Sequence, residues 1–294
     1  MRLKWVNKQN STARSIALGT FDGVHRGHQK LLEETIARKP ANGTSCVFTF
    51  DIPPEQYFRD ELRLVSSFER RVELFRSFGI DEVVWLTFGP ELTSMEAEDF
   101  VQRVLVNEVR ATEVICGYNY RFGSNRGGDS KCLEEQGRRF GFSVTVVPPV
   151  QDANGQVISS TVIRRLIREG NISQAADYLG YYPMYRGVAE SSVSSVLTFD
   201  VNANLVVPDL GTYLVWCVLP HNQGIPAIAW PSPKQGFEIA LLDSGAVLNT
   251  GLLDVQFLAR LRSDESGEPI ETDVLRAQQL LPGFYLQDGR VVLE

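Results

Sequence analysis

Through the first 180 residues, short apolar runs alternate with segments whose apolar positions recur every three to four residues. Residues 15–19 (SIALG), 45–50 (SCVFTF), 82–86 (EVVWL), 113–117 and 142–147 predict five buried strands. Helical periodicity fills the intervals over 28–39, 66–78, 93–108 and 129–140, and a further helix is predicted over 161–179. Ser66-Ser67-Phe68-Glu69 and Thr93-Ser94-Met95-Glu96 have capping-box spacing, and Asp129 stands where a helix needs an N-cap. Alternation of this kind predicts an α/β domain, a parallel sheet with helices on both faces. After Tyr181-Tyr182-Pro183 the pattern changes. Short runs at 205–207, 211–219, 237–242 and 253–261 are separated by Gly, Pro, Asn and Asp, and predict a small β-barrel or β-sandwich. A helix is expected at 278–281, or longer over 271–281. Two domains follow, 1–183 and 184–294.

Composition changes this picture in one respect. The chain of 294 residues is 43% hydrophobic and 22% charged, the balance of an ordinary globular protein. Its net charge of −7 is divided unevenly. Residues 1–186 carry 24 basic and 23 acidic residues, whereas 187–294 carry 5 and 13. Neither part offers a strongly basic surface, so nucleic acid is not an expected partner. No apolar run is long enough to span a bilayer and no signal-peptide core opens the chain, which makes a membrane partner unexpected and a cytoplasmic location the expectation. Four scattered cysteines without a Cys-x-x-Cys pair exclude a zinc ribbon, a thioredoxin motif and a disulfide scaffold, and suit a reducing compartment.

Only three histidines occur, and His25 and His28 share one loop, Gly19-Thr20-Phe21-Asp22-Gly23-Val24-His25-Arg26-Gly27-His28, between the first strand and the first helix. In an open parallel sheet that junction binds phosphate-bearing ligands, because backbone N–H groups and the helix dipole point there. Glycines allow close backbone approach, and imidazoles can donate to phosphoryl oxygens or, when protonated, neutralise their charge. Half a metal site and two structural histidines are the alternatives. No Walker motif is present. A second constellation, Ile158-Ser159-Ser160-Thr161-Val162-Ile163-Arg164, sets hydroxyls at a helix start with an arginine one turn later. It is an anion site or, more plainly, an N-cap followed by a surface arginine.

These two motifs, together with Cys116-Gly117-Tyr118-Asn119-Tyr120-Arg121-Phe122-Gly123, Arg126-Gly127-Gly128-Asp129 and the join Leu179-Gly180-Tyr181-Tyr182 to Arg186-Gly187, resemble the bacterial bifunctional riboflavin kinase/FAD synthetase family over residues 1–187. The resemblance implies a Rossmann-like nucleotidyltransferase domain that transfers AMP from ATP, with Mg²⁺, to FMN, giving FAD and pyrophosphate. It implies that His25 and His28 contact the ATP phosphates, with His28 steadying the α-phosphate, and that Gly19, Phe21, Asp22 and Gly23 shape the ATP pocket. Ser160, Thr161 and Arg164 would bind the departing pyrophosphate, and Asn119, Tyr120 and Phe122 would line the FMN side. Asp51-Ile52-Pro53-Pro54 departs from the family's Asp-Pro-His-Pro.

The resemblance implies a riboflavin-kinase-like barrel for 184–294, with Glu238 as candidate base, together with Asn204 of the retained Ala203-Asn204-Leu205. The family's Gly-Arg loop and Gly-Phe-Pro-Thr-Ala-Asn are replaced, however, by Ser191 through Asn204, in which Asn202 stands for the threonine. Residues 187–204 hold Gly187 as their one glycine, no Lys or Arg, and two acids, Glu190 and Asp200. A phosphate-wrapping loop needs glycine and positive charge, so the expected kinase activity is weak or lost. Full conversion of riboflavin through FMN to FAD, a flavin-holding or scaffold role for the barrel, and transfer to another phosphorylated metabolite remain the alternatives.

Overall fold

A computed structural model of the chain describes residues 2–191, 196–219, 223–232, 236–243, 251–263 and 268–293. It contains two compact units, Met1–Leu62 with Ser66–Ser159, and Arg63–Val65 with Ser160–Glu294.

The first unit is built on β1 (Lys4–Val6), β2 (Arg14–Leu18), β3 (Thr44–Phe50), β4 (Glu82–Leu86), β5 (Ala111–Gly117) and β6 (Ser143–Val147). Between them run helices α1 (Arg26–Ala37), α2 (Phe68–Ser77), α3 (Phe100–Val109, with π-helical turns) and α4 (Ser130–Phe140). The sheet order is β1-β4-β3-β2-β5-β6, parallel throughout except for β1, which pairs antiparallel with β4 at the edge. Ile16, Leu18, Phe48, Val84 and Val114 pack with Val101, Val104 and Leu105 of α3 on one face. The alternate residues Ala17, Val47 and Ile115 are equally buried, so both faces are covered, as long apolar strands require.

Where β2, β3 and β4 begin, their first residues form a buried polar cluster. Arg14 Nε donates to Glu82 Oε2 at 2.7 Å, Thr44 donates its hydroxyl to the same carboxylate, and Gln9 N–H donates to its other oxygen. The loop that begins at Gly19 and the segment from Asp51 to Phe58 leave the opposite, carboxyl ends of β2 and β3. Burial alone would raise the Glu82 carboxyl, but the bonds from Arg14, Thr44 and Gln9 outweigh it and hold the group below the ordinary carboxylate range.

The second unit begins with α5 (Ser160–Arg168) and α6 (Ile172–Leu179). Gly170, at φ +72°, separates them, so the single helix predicted over 161–179 is two. Strands β7 (Met184–Ser191), β8 (Val196–Val201), β9 (Thr212–Leu219), β10 (Gln223–Pro231), β11 (Phe237–Leu241) and β12 (Gly251–Arg262) close an antiparallel barrel in the order β10-β11-β8-β7-β12-β9. A barrel rather than a sandwich is therefore formed. Tyr185, Phe199, Tyr213, Phe237 and Phe257 fill its interior. Helix α7 (Glu271–Leu280) and the hairpin β13 (Tyr285–Gln287) and β14 (Arg290–Val292) complete the unit. Ala277 and Val291 cover an outer apolar face formed by Leu214, Ile228, Trp230 and Leu258. Residues 205–207, expected as a strand, make only a bridge. Leu64 N–H donates to the Asn204 carbonyl at 2.7 Å and Val206 N–H donates to the Leu64 carbonyl at 2.8 Å.

Two predicted caps moved. Ser67, not Ser66, caps α2, accepting from Arg70 N–H at 3.2 Å. Thr93 ends the short helix Pro90–Thr93, and helix resumes only at Ala97. Asp129 caps α4 as expected, accepting from Cys132 N–H at 3.0 Å.

Substituting Glu82→Gln leaves Arg14 charged and buried without its counter-ion, which costs about 3 kcal/mol. Because the folded carboxyl lies below its unfolded value, its contribution is complete above the ordinary carboxylate range and is lost as pH falls through the folded value. Chemical denaturation followed by circular dichroism should show a large deficit in Glu82→Gln at pH 7 that shrinks at pH 3. An equal deficit at both pH values contradicts the assignment.

Candidate active site

The loop from Gly19 to His25 leaves the carboxyl end of β2 in a conformation that its side chains disfavour. Phe21 and Val24 adopt φ +54° and +38°, flanking Gly23 at +79°. For a β-branched residue such as Val24 a positive φ is a true outlier, and such strain persists only where the surroundings enforce it. Here they do. Phe21 and Val24 are fully buried, and Val24 N–H donates to the Phe21 carbonyl at 3.0 Å. Ser66, freed from capping α2, accepts from Gly23 N–H at 2.9 Å and donates its own N–H to Asp22 Oδ1 at 3.2 Å. Asp22 is thus a buried strut of the loop rather than an open ligand.

His25 is the N-cap of α1, and its Nδ1 accepts from His28 N–H at 3.4 Å. That bond assigns its proton to Nε2. The His25 and His28 rings stack with centroids 3.7 Å apart, and Phe21 covers His28 at 5.2 Å. A Cβ at position 27 would stand 3.1 Å from the His25 ring, which explains Gly27. Burial pushes His25 down to about 4. His28 is lowered well below the ordinary imidazole value, first by burial and then by the His25 and Arg71 charges. Both rings are therefore neutral in the free protein at pH 7. Among the described residues, His28 Nδ1 is a buried ring nitrogen with no hydrogen-bond partner. The pair offers hydrogen bonds from a desolvated recess, not a standing positive charge.

The other expected residues separate into three groups. Tyr120 and Phe122 follow β5 and stack 5.7 Å apart, with Phe122 against Phe100 in the core. Asn119 is exposed in the turn closed by Tyr120 N–H donating to the Gly117 carbonyl. Ser160, Thr161 and Arg164 open α5 in the second unit. Arg164 is buried and donates to Thr161 Oγ1 at 3.3 Å, so the helix-start hydroxyl and the guanidinium form one group. Asn204 sits in a turn of the second unit, its N–H on Asn202 Oδ1 at 2.9 Å. Glu238 lies opposite Thr198 and Trp230 on β11, half-buried, between the interior residues Phe237 and Ile239. Strand alternation therefore turns it to the outside of the barrel. His221, Ser192 to Ser195 and residues 248–250 lie outside the described residues.

An aromatic shelf escaped the sequence reading. Phe50 at the end of β3, Tyr57 and Phe58 on the short helix Pro54–Phe58, and Phe88 beyond β4 meet edge to face at 5.3–5.8 Å. Phe58 is 68% exposed and Tyr57 40%. Below them Asp51 accepts from the Thr87 hydroxyl at 2.7 Å and so ties the carboxyl ends of β3 and β4 together. Pro54 at the first position of a helix carrying Tyr57-Phe58 three residues on was the available signal, since proline there starts a helix. Among the described residues, no group of three or more His, Cys, Asp or Glu is assembled to hold a metal, and no helix is long and apolar enough to cross a membrane.

Residues 7–162 match the model of the FAD synthetase family. A Geobacillus thermodenitrificans protein is 34% identical over 167 residues, covering 56% of this chain and 89% of its own length. The bifunctional riboflavin kinase/FMN adenylyltransferase of Escherichia coli K12 is 29% identical over 281 residues, 90% of this chain and 88% of that one. The protein of the same name from Pseudomonas fluorescens is 29% identical over 270 residues, 86% of each chain. Among solved structures, a Streptococcus pneumoniae protein described as a macrolide-efflux protein superposes with a TM-score of 0.76 at 24% identity over 92% of each chain, which establishes the two-part fold.

Two outcomes follow from the loop. His25→Ala should destabilise the protein by about 1 kcal/mol through loss of the α1 cap, whereas His25→Asn, a good N-cap, should restore most of it. Equal melting temperatures for the three proteins would remove His25 from the cap. Inorganic tripolyphosphate bound at pH 6 should raise the depressed imidazoles and draw in protons. Calorimetry in two buffers of different ionisation enthalpy reads that uptake, which should vanish in the combined His25→Asn and His28→Ala variant. Identical uptake in both proteins counts against the pair.

Proposed function

The chain belongs to the FAD synthetase family, and from that premise we propose that residues 1–183 catalyse AMP transfer from ATP to FMN. The observation that carries this reading is the neutral, stacked His25–His28 pair with a partnerless ring nitrogen, set in a strained loop at the carboxyl end of β2. A phosphate oxygen of FMN attacks the α-phosphorus of ATP, the bond from that phosphorus to the bridging oxygen breaks, and pyrophosphate leaves. No protein nucleophile is needed; positioning and charge stabilisation do the work. His28 is assigned to the α-phosphate and His25, through Nε2–H, to a neighbouring phosphoryl oxygen. Gly19, Phe21 and Gly23 shape the pocket, with Asp22 holding the loop. Ser160, Thr161 and Arg164 are assigned to the departing pyrophosphate.

A flat isoalloxazine ring needs aromatic surface with a few polar contacts. Phe58, Tyr57 and Phe88 supply exposed aromatic surface, and we assign the flavin to that shelf. Asn119 and Tyr120 are assigned to its polar side, with Phe122 supporting Tyr120 from the core. Mg²⁺ arrives as the counter-ion of ATP. Among the described residues, no group of three or more His, Cys, Asp or Glu forms a cage for it. The four free cysteines suit a cytoplasmic setting.

For residues 184–294 we propose weak or absent riboflavin kinase activity. Gly187, the only glycine of 187–204, is committed to strand packing, since a Cβ there would overlap the Asp200 carbonyl oxygen. It pairs with Val201 on one side and Leu253 on the other. It is therefore not available to wrap a phosphate. The second reading, conversion of riboflavin through FMN to FAD, is the one that the names of the bifunctional relatives carry.

Product analysis with FMN and riboflavin as separate substrates decides both points. FMN, ATP and Mg²⁺ should yield FAD and pyrophosphate, and failure of a folded protein to form either sinks the main assignment. Riboflavin should yield little or no FMN; rapid FMN formation establishes the second reading. His28→Ala should lower kcat/KM at least tenfold, about 1.4 kcal/mol of transition-state stabilisation. Phe58→Ala should raise KM for FMN several-fold without changing the melting temperature, because its ring is mostly exposed.

A further inference from the structure

Among the described residues, Arg71 is the largest fully buried side chain, and it was not among the residues expected to matter. It lies on α2, well separated in sequence from both substrate-facing segments. Its Nη1 donates to the Thr20 carbonyl at 2.8 Å and to the Phe50 carbonyl at 2.9 Å, and its Nη2 donates to the Asp51 carbonyl at 2.8 Å. Thr49 Oγ1 accepts a longer bond from Nη1 at 3.3 Å and itself donates to the Thr20 carbonyl at 3.2 Å. The guanidinium stands 5.4 Å from the centre of the Phe68 ring.

This placement is unusual for a buried cation. Buried charges are ordinarily paired with a carboxylate or exchanged for apolar packing. Here the direct partners are backbone carbonyls at the ends of two adjacent strands, a use that the planar, multiply donating guanidinium permits and an ammonium matches less well. One of those strand ends opens the His25–His28 loop. The other carries Phe50 and leads into Tyr57 and Phe58. The cation therefore joins the two segments assigned above to the two substrates.

We propose that Arg71 is a positioning residue for AMP transfer: by clamping the Thr20 carbonyl to the carbonyls of Phe50 and Asp51, it fixes the separation between the phosphate loop and the flavin shelf. Transfer between two bound substrates depends steeply on such a separation, and an ångström of misplacement is enough to lower the rate a hundredfold. The clamp acts on geometry after both substrates are bound, so its loss falls on kcat rather than on either KM. The assignment rests on the adenylyltransferase reading for its rate, but the clamp itself has an independent signature. The groups acting electrostatically on His28 are His25 at the start of α1 and Arg71 on α2. Those acting on Arg71 are Asp22 in the loop, Asp51 after β3 and Glu69 on its own helix. Removing the cation therefore relieves His28 of a like charge, and its imidazole should titrate at higher pH.

The experiment compares full-length native protein, Arg71→Lys and Arg71→Gln in two measurements. In steady-state FAD formation, Arg71→Gln should lose at least a hundredfold in kcat, with KM for ATP and for FMN within threefold of native. Arg71→Lys, which keeps the charge and some donors, should lose threefold to tenfold in kcat with native KM. In imidazole NMR, tractable with three histidines in the chain, His28 should titrate at higher pH in Arg71→Gln and unchanged in Arg71→Lys. Native kcat in a folded Arg71→Lys, or an unmoved His28 titration in a folded Arg71→Gln, overturns the proposal. A rise in KM with kcat retained also overturns it, assigning Arg71 to simple binding. If Arg71→Gln does not fold, the kcat of Arg71→Lys decides alone. If native protein makes no FAD, the functional reading fails while the His28 titration still judges the clamp.

Discussion

Phe21 and Val24 hold left-handed backbone that only their surroundings can enforce, and the loop from Gly19 to His28 depends on that enforcement. Each such residue costs roughly 1–2 kcal/mol relative to an ordinary conformation. Against this stand full burial of both side chains, two hydrogen bonds exchanged with Ser66, and the Arg71 bond to the Thr20 carbonyl. None of these partners belongs to the loop. The local sequence supplies a strained conformer, and α2 with the segment just before it supplies the reason that conformer persists. Strain maintained in this way has a consequence for ligands: the recess is formed before anything binds, and binding need not pay the ordering entropy of a mobile loop.

The same dependence explains what could be read from the sequence and what could not. The five parallel strands were legible because strands buried on both faces are near-continuous apolar runs, as in Ser45 to Phe50. The His25–Gly27–His28 spacing was legible because the loop is contiguous. Ser66 was misassigned to a helix cap, since the capping-box spacing fits it, and only the folded chain shows that Ser67 caps while Ser66 turns to Gly23. The aromatic shelf gathers Phe50, Tyr57, Phe58 and Phe88 from three elements, and no local pattern marks such a gathering. Arg71 reads in sequence as one of four charges in Glu69-Arg70-Arg71-Val72-Glu73, ordinary for an exposed helix face. The helix predicted through 161–179 failed at Gly170 because its apolar periodicity continues across a break made by one glycine.

In the second unit, pattern and chemistry come apart. The barrel is complete: six strands close, aromatic residues fill the interior, and α7 with β14 covers an outer apolar face. The departure from the resembled family's motif falls in Ser191 to Asn204. Gly187 serves the close approach of β7 and β8, and the turn at Asn202–Leu205 is occupied by bonds within itself and to Leu64. A core tolerates the loss of a ligand loop because its stability comes from buried apolar area. Fold and activity can therefore part company without any cost to the barrel.

On the proposed assignment, the two imidazoles bear on how charge is handled during transfer. Had they been cationic in the free protein, they would attract polyphosphate at long range and bind ground state and transition state alike. Held neutral by burial, with His25 near 4, they would gain charge when a bound polyphosphate raised them. Their electrostatic contribution thus grows with the negative charge presented, which is the differential behaviour that accelerates a reaction rather than merely retaining its substrate. Burial at this loop is consequently not incidental to packing. On that assignment it makes two weak bases respond most strongly where charge accumulates, and Phe21, held at φ +54°, covers His28.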